Sequence, residues 1–217
     1  MKIESKKMRS NLLPVLRQGW GYIGWAFGLF ILFALFDYTI LEFLSFVAFV
    51  AFIYMYRNPE RELPLFQNSS VTSPVDGTVV SIEELDDLEY GYKVEVESDF
   101  SDVAVLRVPM SGSLLFATHQ NGTRLAKNSP LFTKTNENAV LIFENRDANK
   151  VKVVHRCKQS FDGIHIDIIT AQHLAQSYRY GSMIHGITTI YLPRNFRLSI
   201  NVSNELIGSE TLIGYFS

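Results

Sequence analysis

The side chains of this chain that can take up a proton near neutral pH are its five histidines, His119, His155, His165, His173 and His185. A serine hydroxyl becomes a nucleophile only with such a base beside it. His185 follows Ser182 by three positions and is the histidine that spacing favours as a base for that hydroxyl, with His119 next. An ordinary surface or core role competes for each of the five. Asp76 stands before Gly77, a pairing that serves equally as a turn or as a carboxylate held ready for a partner. The single cysteine, Cys157, excludes an intrachain disulfide and a multi-cysteine metal site, so it reads as a small, partly buried apolar residue and no metal is expected.

These residues must be positioned by a chain of two unlike materials. From Gly19 to Tyr56 the sequence is apolar, and Asp37 and Glu42 are its only charges. A membrane-spanning helix needs roughly 20 residues. The run therefore divides into Gly19 to Phe36 and Thr39 to Tyr56, an α-helical hairpin turning near Asp37, either as two short spans or as a re-entrant loop. Lys2, Lys6, Lys7, Arg9 and Arg17 precede it and Arg57 and Arg61 follow it, which places both ends in the cytoplasm. Trp20, Tyr22, Trp25, Tyr54 and Tyr56 fall where interfacial rings are favoured. The tract is too long for a cleaved signal peptide, and buried helices of a soluble core are the competing reading.

Beyond Tyr56 the pattern becomes short β-branched runs between turn residues. Thr78–Ile82, Tyr92–Val96, Val103–Val108, Ser113–Phe116, Ala139–Phe143, Val151–His155, Ile164–Ile169, Thr188–Leu192 and Arg197–Val202 are predicted strands, and Ala171–Tyr178 is the best short helix. Asp76-Gly77, Ser111-Gly112, Asn121-Gly122 and Asp162-Gly163 mark turns. The fold class expected is a β-rich compact domain, all-β or α+β, with barrel-like short strands behind an N-terminal helical membrane hairpin. Its parts are a basic cytoplasmic N-terminus (1–18), an anchor (19–56) and one domain (57–217). The 20 basic and 22 acidic residues leave a net charge of −2, which argues against a nucleic-acid partner.

The segment Tyr56-Arg57-Asn58-Pro59-Glu60-Arg61-Glu62-Leu63-Pro64, followed by Ser73-Pro74-Val75-Asp76-Gly77-Thr78-Val79, resembles the short bacterial form of phosphatidylserine decarboxylase. The likeness continues through Ser101 to Gly112, Gly122, Ala126, Asn136-Glu137-Asn138, Ile190-Tyr191-Leu192-Pro193 and Ile207 to Ile213, and thins between residues 145 and 180. Enzymes of that family carry no added cofactor. They cut their own chain before a serine and convert that serine to a pyruvoyl group, whose ketone takes up the substrate amine and draws off the electrons released with carbon dioxide.

The resemblance implies cleavage between Gly181 and Ser182, with the Ser182 hydroxyl attacking the Gly181 carbonyl, elimination from the resulting ester, and a pyruvoyl-capped fragment running to Ser217. It makes Asp76 the family's aspartate and gives Arg107 to a phosphate or carboxylate of the substrate. Two positions depart from the pattern. Ala104 stands where the family has a histidine, leaving His185 as the substitute. Ser182 lies 11 residues before Pro193, farther than in the short form, and in an ungapped alignment Gly186 takes the serine's place within an inert His185-Gly186-Ile187 turn. Gly208-Ser209 fits the family's terminal Gly-Glu-Thr turn and is a decoy.

The activity so implied is membrane-bound decarboxylation of phosphatidylserine, or a close aminophospholipid, at the cytoplasmic face of a bacterial inner membrane, with assembly into a homo-oligomer left open. Two rivals remain: a maturation-deficient relative that binds lipid or a protein partner, and a biotinyl/lipoyl-type carrier. The carrier reading lacks a lysine at a hairpin tip.

Overall fold

A computed structural model of the chain describes residues 13–61, 69–168 and 170–217, and divides into two compact units after Glu60. Lys2, Lys6, Lys7, Arg9, Glu62, Leu63, Pro64 and the Ile169 end of a predicted strand lie outside the described residues.

The first unit is a helix pair. α1 (Trp20–Leu35) and α2 (Thr39–Met55) are joined by a turn in which Asp37 has a φ of 59°, a conformation that aspartate tolerates better than most residues. Tyr22 stacks on Tyr56, Phe27 meets Phe49 and Phe30 meets Phe46, so aromatic rings hold the pair together. Outward-facing Trp25, Leu35, Ile40 and Phe43 are largely exposed, which leaves the pair apolar all round. The segment Arg17–Leu35 is long and apolar enough to cross a membrane, and α2 is apolar over 17 residues.

In the second unit the strands are β1 (Ser70–Thr72), β2 (Gly77–Glu84), β3 (Tyr92–Ser98), β4 (Val105–Arg107), β5 (Gly112–Gln120), β6 (Asn138–Glu144) and β7 (Lys150–Cys157). After them come β8 (His165–Ile166), β9 (His173–Leu174), β10 (Arg179–Ser182), β11 (Gly186–Leu192), β12 (Phe196–Leu198), β13 (Glu205–Leu206) and β14 (Leu212–Phe216). A one-turn helix, α3 (Phe132–Thr135), precedes β6. The strands form an eight-stranded sheet in the order β13-β2-β3-β11-β7-β6-β5-β9 and two three-stranded sheets, β1-β14-β12 and β4-β10-β8.

Alternation explains why these segments are strands. Along β6 the residues Ala139, Leu141 and Phe143 are buried while their neighbours are half-buried, the period-2 signature of a sheet with one face on the core. Val94, Val96, Val151, Val153 and Ile190 join them from β3, β7 and β11.

The β-rich class stands, with two corrections. Among the described residues the sheets are open and do not close into a barrel. Ala171–Tyr178 is not helical: Ala171 and Ser177 have φ of 64° and 68°, and His173–Leu174 pairs with β5. Cross-strand backbone bonds, Leu114 N–H to Gln172 O and Ser177 N–H to Val108 O, hold the segment extended and override its local helical pattern.

Candidate active site

Ser182 ends β10, the middle strand of one of the two three-stranded sheets, with β4 on one side and β8 on the other. Two residues fix that strand. Tyr180 is fully buried, and its hydroxyl bonds His155 Nε2 at 2.6 Å, while His155 Nδ1 meets Thr188 Oγ1 at 2.8 Å. Burial pushes His155 down to about 3, so it is a neutral core group. Gly181 is the second: a Cβ there would lie 2.1 Å from the His165 carbonyl oxygen, so only glycine lets β8 and β10 come this close.

Ser182 is 3 % exposed and its Oγ has no hydrogen-bond partner. A buried hydroxyl left in that condition costs about 1–3 kcal/mol and calls for an explanation. Val105 of β4 and His165 of β8 are its cross-strand partners.

Asp76 sits between β1 and β2. Its Oδ1 accepts the Gly208 N–H at 2.7 Å and its Oδ2 accepts Arg61 Nη2 at 2.6 Å, while its carbonyl accepts the Ser98 hydroxyl. Arg61 also reaches Glu210 at 3.7 Å. Burial raises the Asp76 carboxyl above its ordinary range, outweighing the Gly208 N–H and the charges of Arg61 and Arg107. Arg107, buried in β4, directs Nη1 toward the Ser177 carbonyl at 3.5 Å and lies opposite Arg179 on β10.

His185 is elsewhere. Nδ1 faces the Gln159 carbonyl at 3.3 Å, Nε2 faces Asp99 Oδ1 at 3.4 Å, and the ring packs 4.3 Å from that of Phe100. None of these hydrogen bonds joins Asp76, His185 and Ser182. Chain spacing suggested His185, but a bend over Ile184 and His185 separates it from the β10 ladder that holds Ser182.

Gly186 is not part of an inert turn. It opens β11, paired with Ser98 and Cys157, and a Cβ on it would lie 2.4 Å from the Arg156 carbonyl oxygen. The fold therefore gives no room for a serine side chain at 186.

His119 is also committed. His119 Nε2 meets Glu137 Oε1 at 3.0 Å, and Glu137 further accepts the Ile164 N–H and Arg124 Nε. Burial would raise the Glu137 carboxyl, but these three partners hold it below the usual range. His173 is exposed on β9, opposite Ser113.

His165 is the residue that spacing alone passed over. Its Nε2 meets Asp162 Oδ1 at 2.9 Å, and that hydrogen bond, working against partial burial, raises the imidazole above its ordinary value. The Asp162-Gly163 turn and the Ile164–Ile169 strand pattern were the available signals, since together they put His165 just inside a strand.

Residues 49–214 match the phosphatidylserine decarboxylase family, which covers most of the second unit and the end of α2. The chain belongs to that family. The family is one of carboxy-lyases. A phosphatidylserine decarboxylase proenzyme of Desulfotalea psychrophila is 26% identical over 93% of this chain and 96% of its own length. One of Geotalea uraniireducens is 26% identical over 95% and 99%, and one of Ehrlichia chaffeensis 26% over 75% and 74%. The Ser73 to Gly77 entry to β2 and the Gly208 turn that meets it lie within the matched residues and together anchor the Asp76 carboxylate.

Proposed function

We propose that this chain is a membrane-bound carboxy-lyase that decarboxylates phosphatidylserine, or a close aminophospholipid, after cutting itself between Gly181 and Ser182. The observation that carries the reading is the Ser182 hydroxyl, buried, without a partner, and directly after a glycine whose place a larger residue could take only by pushing β8 away. Such a hydroxyl fits an internal nucleophile. A pyruvoyl group made from Ser182 would supply an electron sink for the electron pair left when carbon dioxide departs.

The chain's own residues supply the rest. Arg107 holds a fixed positive charge two positions along β4 from the partner of Ser182, suited to a substrate carboxylate or phosphate. The apolar surfaces of α1 and α2 support an anchor in the bilayer, with both ends toward the cytoplasmic face of an inner membrane. Holding the site at the interface avoids moving two acyl chains into water, at about 0.8 kcal/mol per methylene.

A second reading has its own support. Ala104 carries no base, and the Asp76 carboxylate is already taken by Arg61 and Gly208. That reading makes the chain a maturation-deficient lipid-binding or partner protein.

Intact mass of the detergent-extracted protein, run beside Ser182→Ala, separates the two. Two fragments meeting at Gly181 and Ser182 in the parent, with an uncut variant, support the decarboxylase. A single full-length mass in both would remove it.

A further inference from the structure

We infer that His165 is the base that activates Ser182 for self-cleavage, with Asp162 as the residue that positions it. The inference rests on the self-cleaving reading above and supplies the group that Ala104 cannot.

Ser182 and His165 are directly opposed residues of the antiparallel β8–β10 ladder. Residues so opposed project to the same face, with Cβ atoms about 4.5–5.5 Å apart. The imidazole of His165 is therefore the titratable group set beside the unpartnered hydroxyl. Its Nε2 is engaged by Asp162 Oδ1, which leaves Nδ1 as the nitrogen available to Ser182. Asp162 is itself fixed: Oδ1 also accepts the Gly163 N–H at 2.9 Å, and its carbonyl faces the Cys157 thiol. A carboxylate, an imidazole and a serine in that order form the arrangement in which the acid orients the ring and the ring takes the hydroxyl proton.

The alternatives are weaker on the same tests. His155 is neutral and hydrogen-bonded at both nitrogens inside the core. His119 serves Glu137, and His185 faces Asp99 and Gln159. Gly112-Ser113 also has a histidine across the ladder, His173, but Ser113 is only half-buried. Among the described residues His173 has no carboxylate to orient it.

The step balances. Nδ1 of His165 accepts the Ser182 Oγ proton as Oγ bonds to the Gly181 carbonyl carbon. The Gly181–Ser182 C–N bond then breaks, and the departing nitrogen takes the proton back. The product is an ester isomer of the chain, with no atom lost. Loss of the Ser182 α-proton would next expel the Gly181 carboxylate, and water would convert the remaining enamine to the ketone with release of ammonia.

The test uses the full-length chain in detergent and follows the cut fraction over time by intact mass, for the parent, His165→Gly, His173→Ala, Asp162→Asn and Asp162→Glu. A base in this role is worth about 10²- to 10⁴-fold. The expected result is an uncut or at least about 100-fold slower His165→Gly chain, partly restored by added imidazole. His173→Ala cuts at the parental rate, Asp162→Asn is slowed, and Asp162→Glu recovers much of the loss. Hydroxylamine, which cleaves esters, releases a fragment ending at Gly181 from the parent and far less from His165→Gly. Cutting of His165→Gly at the parental rate overturns the assignment and leaves the decarboxylase reading intact. Slowing without imidazole rescue, accompanied by a lower melting temperature, makes His165 structural and also overturns it. An uncut parent overturns both.

Discussion

The Asp76 carboxylate accepts the Gly208 N–H at 2.7 Å, joining positions 132 residues apart, and its other oxygen accepts Arg61. One acid thus ties the start of the second unit to the turn before its last strand. Hydrogen bonds to a charged group are worth about 1.5–3 kcal/mol each, while the desolvation cost of this largely buried pair offsets its ion-pair attraction. Asp76→Ala is expected to cost about 2–4 kcal/mol in urea unfolding, with Asp76→Asn costing less because the Gly208 N–H keeps an acceptor. Equal losses in the two variants would assign the stability to Arg61 alone.

His155 predicts an acid limb of stability. It is held neutral in the fold at about 3, against an unfolded value near 6.5, so the unfolded chain binds the extra proton. The stabilisation is complete above about pH 6.5 and is lost on acidification toward pH 3, at roughly 1.4 kcal/mol per unit. Unfolding free energies measured between pH 6 and 4 should fall with that slope in the parent and flatten in His155→Leu. The variant should also be less stable at pH 7, since Tyr180 and Thr188 lose their shared partner. An unchanged slope would mean that another group carries the acid limb.

The β-rich class and the long central strands were legible for two reasons: β3 and β6 alternate buried and less buried residues, and β7 and β11, buried at most positions, are short β-branched runs bounded by turn residues. β10 was not. Arg179-Tyr180-Gly181-Ser182 is four residues long and contains a glycine, and it is a strand only because β4 and β8 flank it. The same gap hid the site. Ser182, Gly181, Asp76 and Arg107 could be chosen from the chain by likeness to a family, but the histidine facing Ser182 depends on the β8–β10 register. Spacing along the chain cannot report a cross-strand neighbour, so it favoured His185, which the bend before β11 directs to Asp99.

Gly181 has a steric prediction of its own. A methyl group there would meet the His165 carbonyl oxygen at 2.1 Å and the Ile166 Cδ1 at 3.2 Å. Backbone cannot yield as a flexible side chain does, so β8 must move away from β10. Gly181→Ala should destabilise by about 1–3 kcal/mol and leave the chain uncut, because His165 is displaced from Ser182. Amide exchange at Asp167, whose N–H bonds the Tyr180 carbonyl at 2.7 Å, reads the separation directly. Unaltered protection there would mean the strands accommodate the methyl group.

Ser209 tests whether the second buried Gly-Ser pair takes part in the cut. It is 1 % exposed, has a φ of 72°, and its Oγ lacks a partner, so it shares the orphaned hydroxyl of Ser182. Its surroundings differ: among the described residues no strand ladder sets a histidine opposite it, and its N–H is spent on the Ser73 carbonyl at 2.9 Å. Replacing it by glycine removes a left-handed strain of roughly 1–2 kcal/mol and an unsatisfied hydroxyl of about 1 kcal/mol or more. Added freedom of the unfolded chain offsets roughly 0.5–1 kcal/mol of that gain. Ser209→Gly should therefore melt higher than the parent by the equivalent of about 1 kcal/mol and still cut between Gly181 and Ser182. A variant that folds stably yet remains uncut would move the nucleophile from Ser182 to Ser209, which lies between Gly208, bonded through its N–H to Asp76, and a second acid, Glu210.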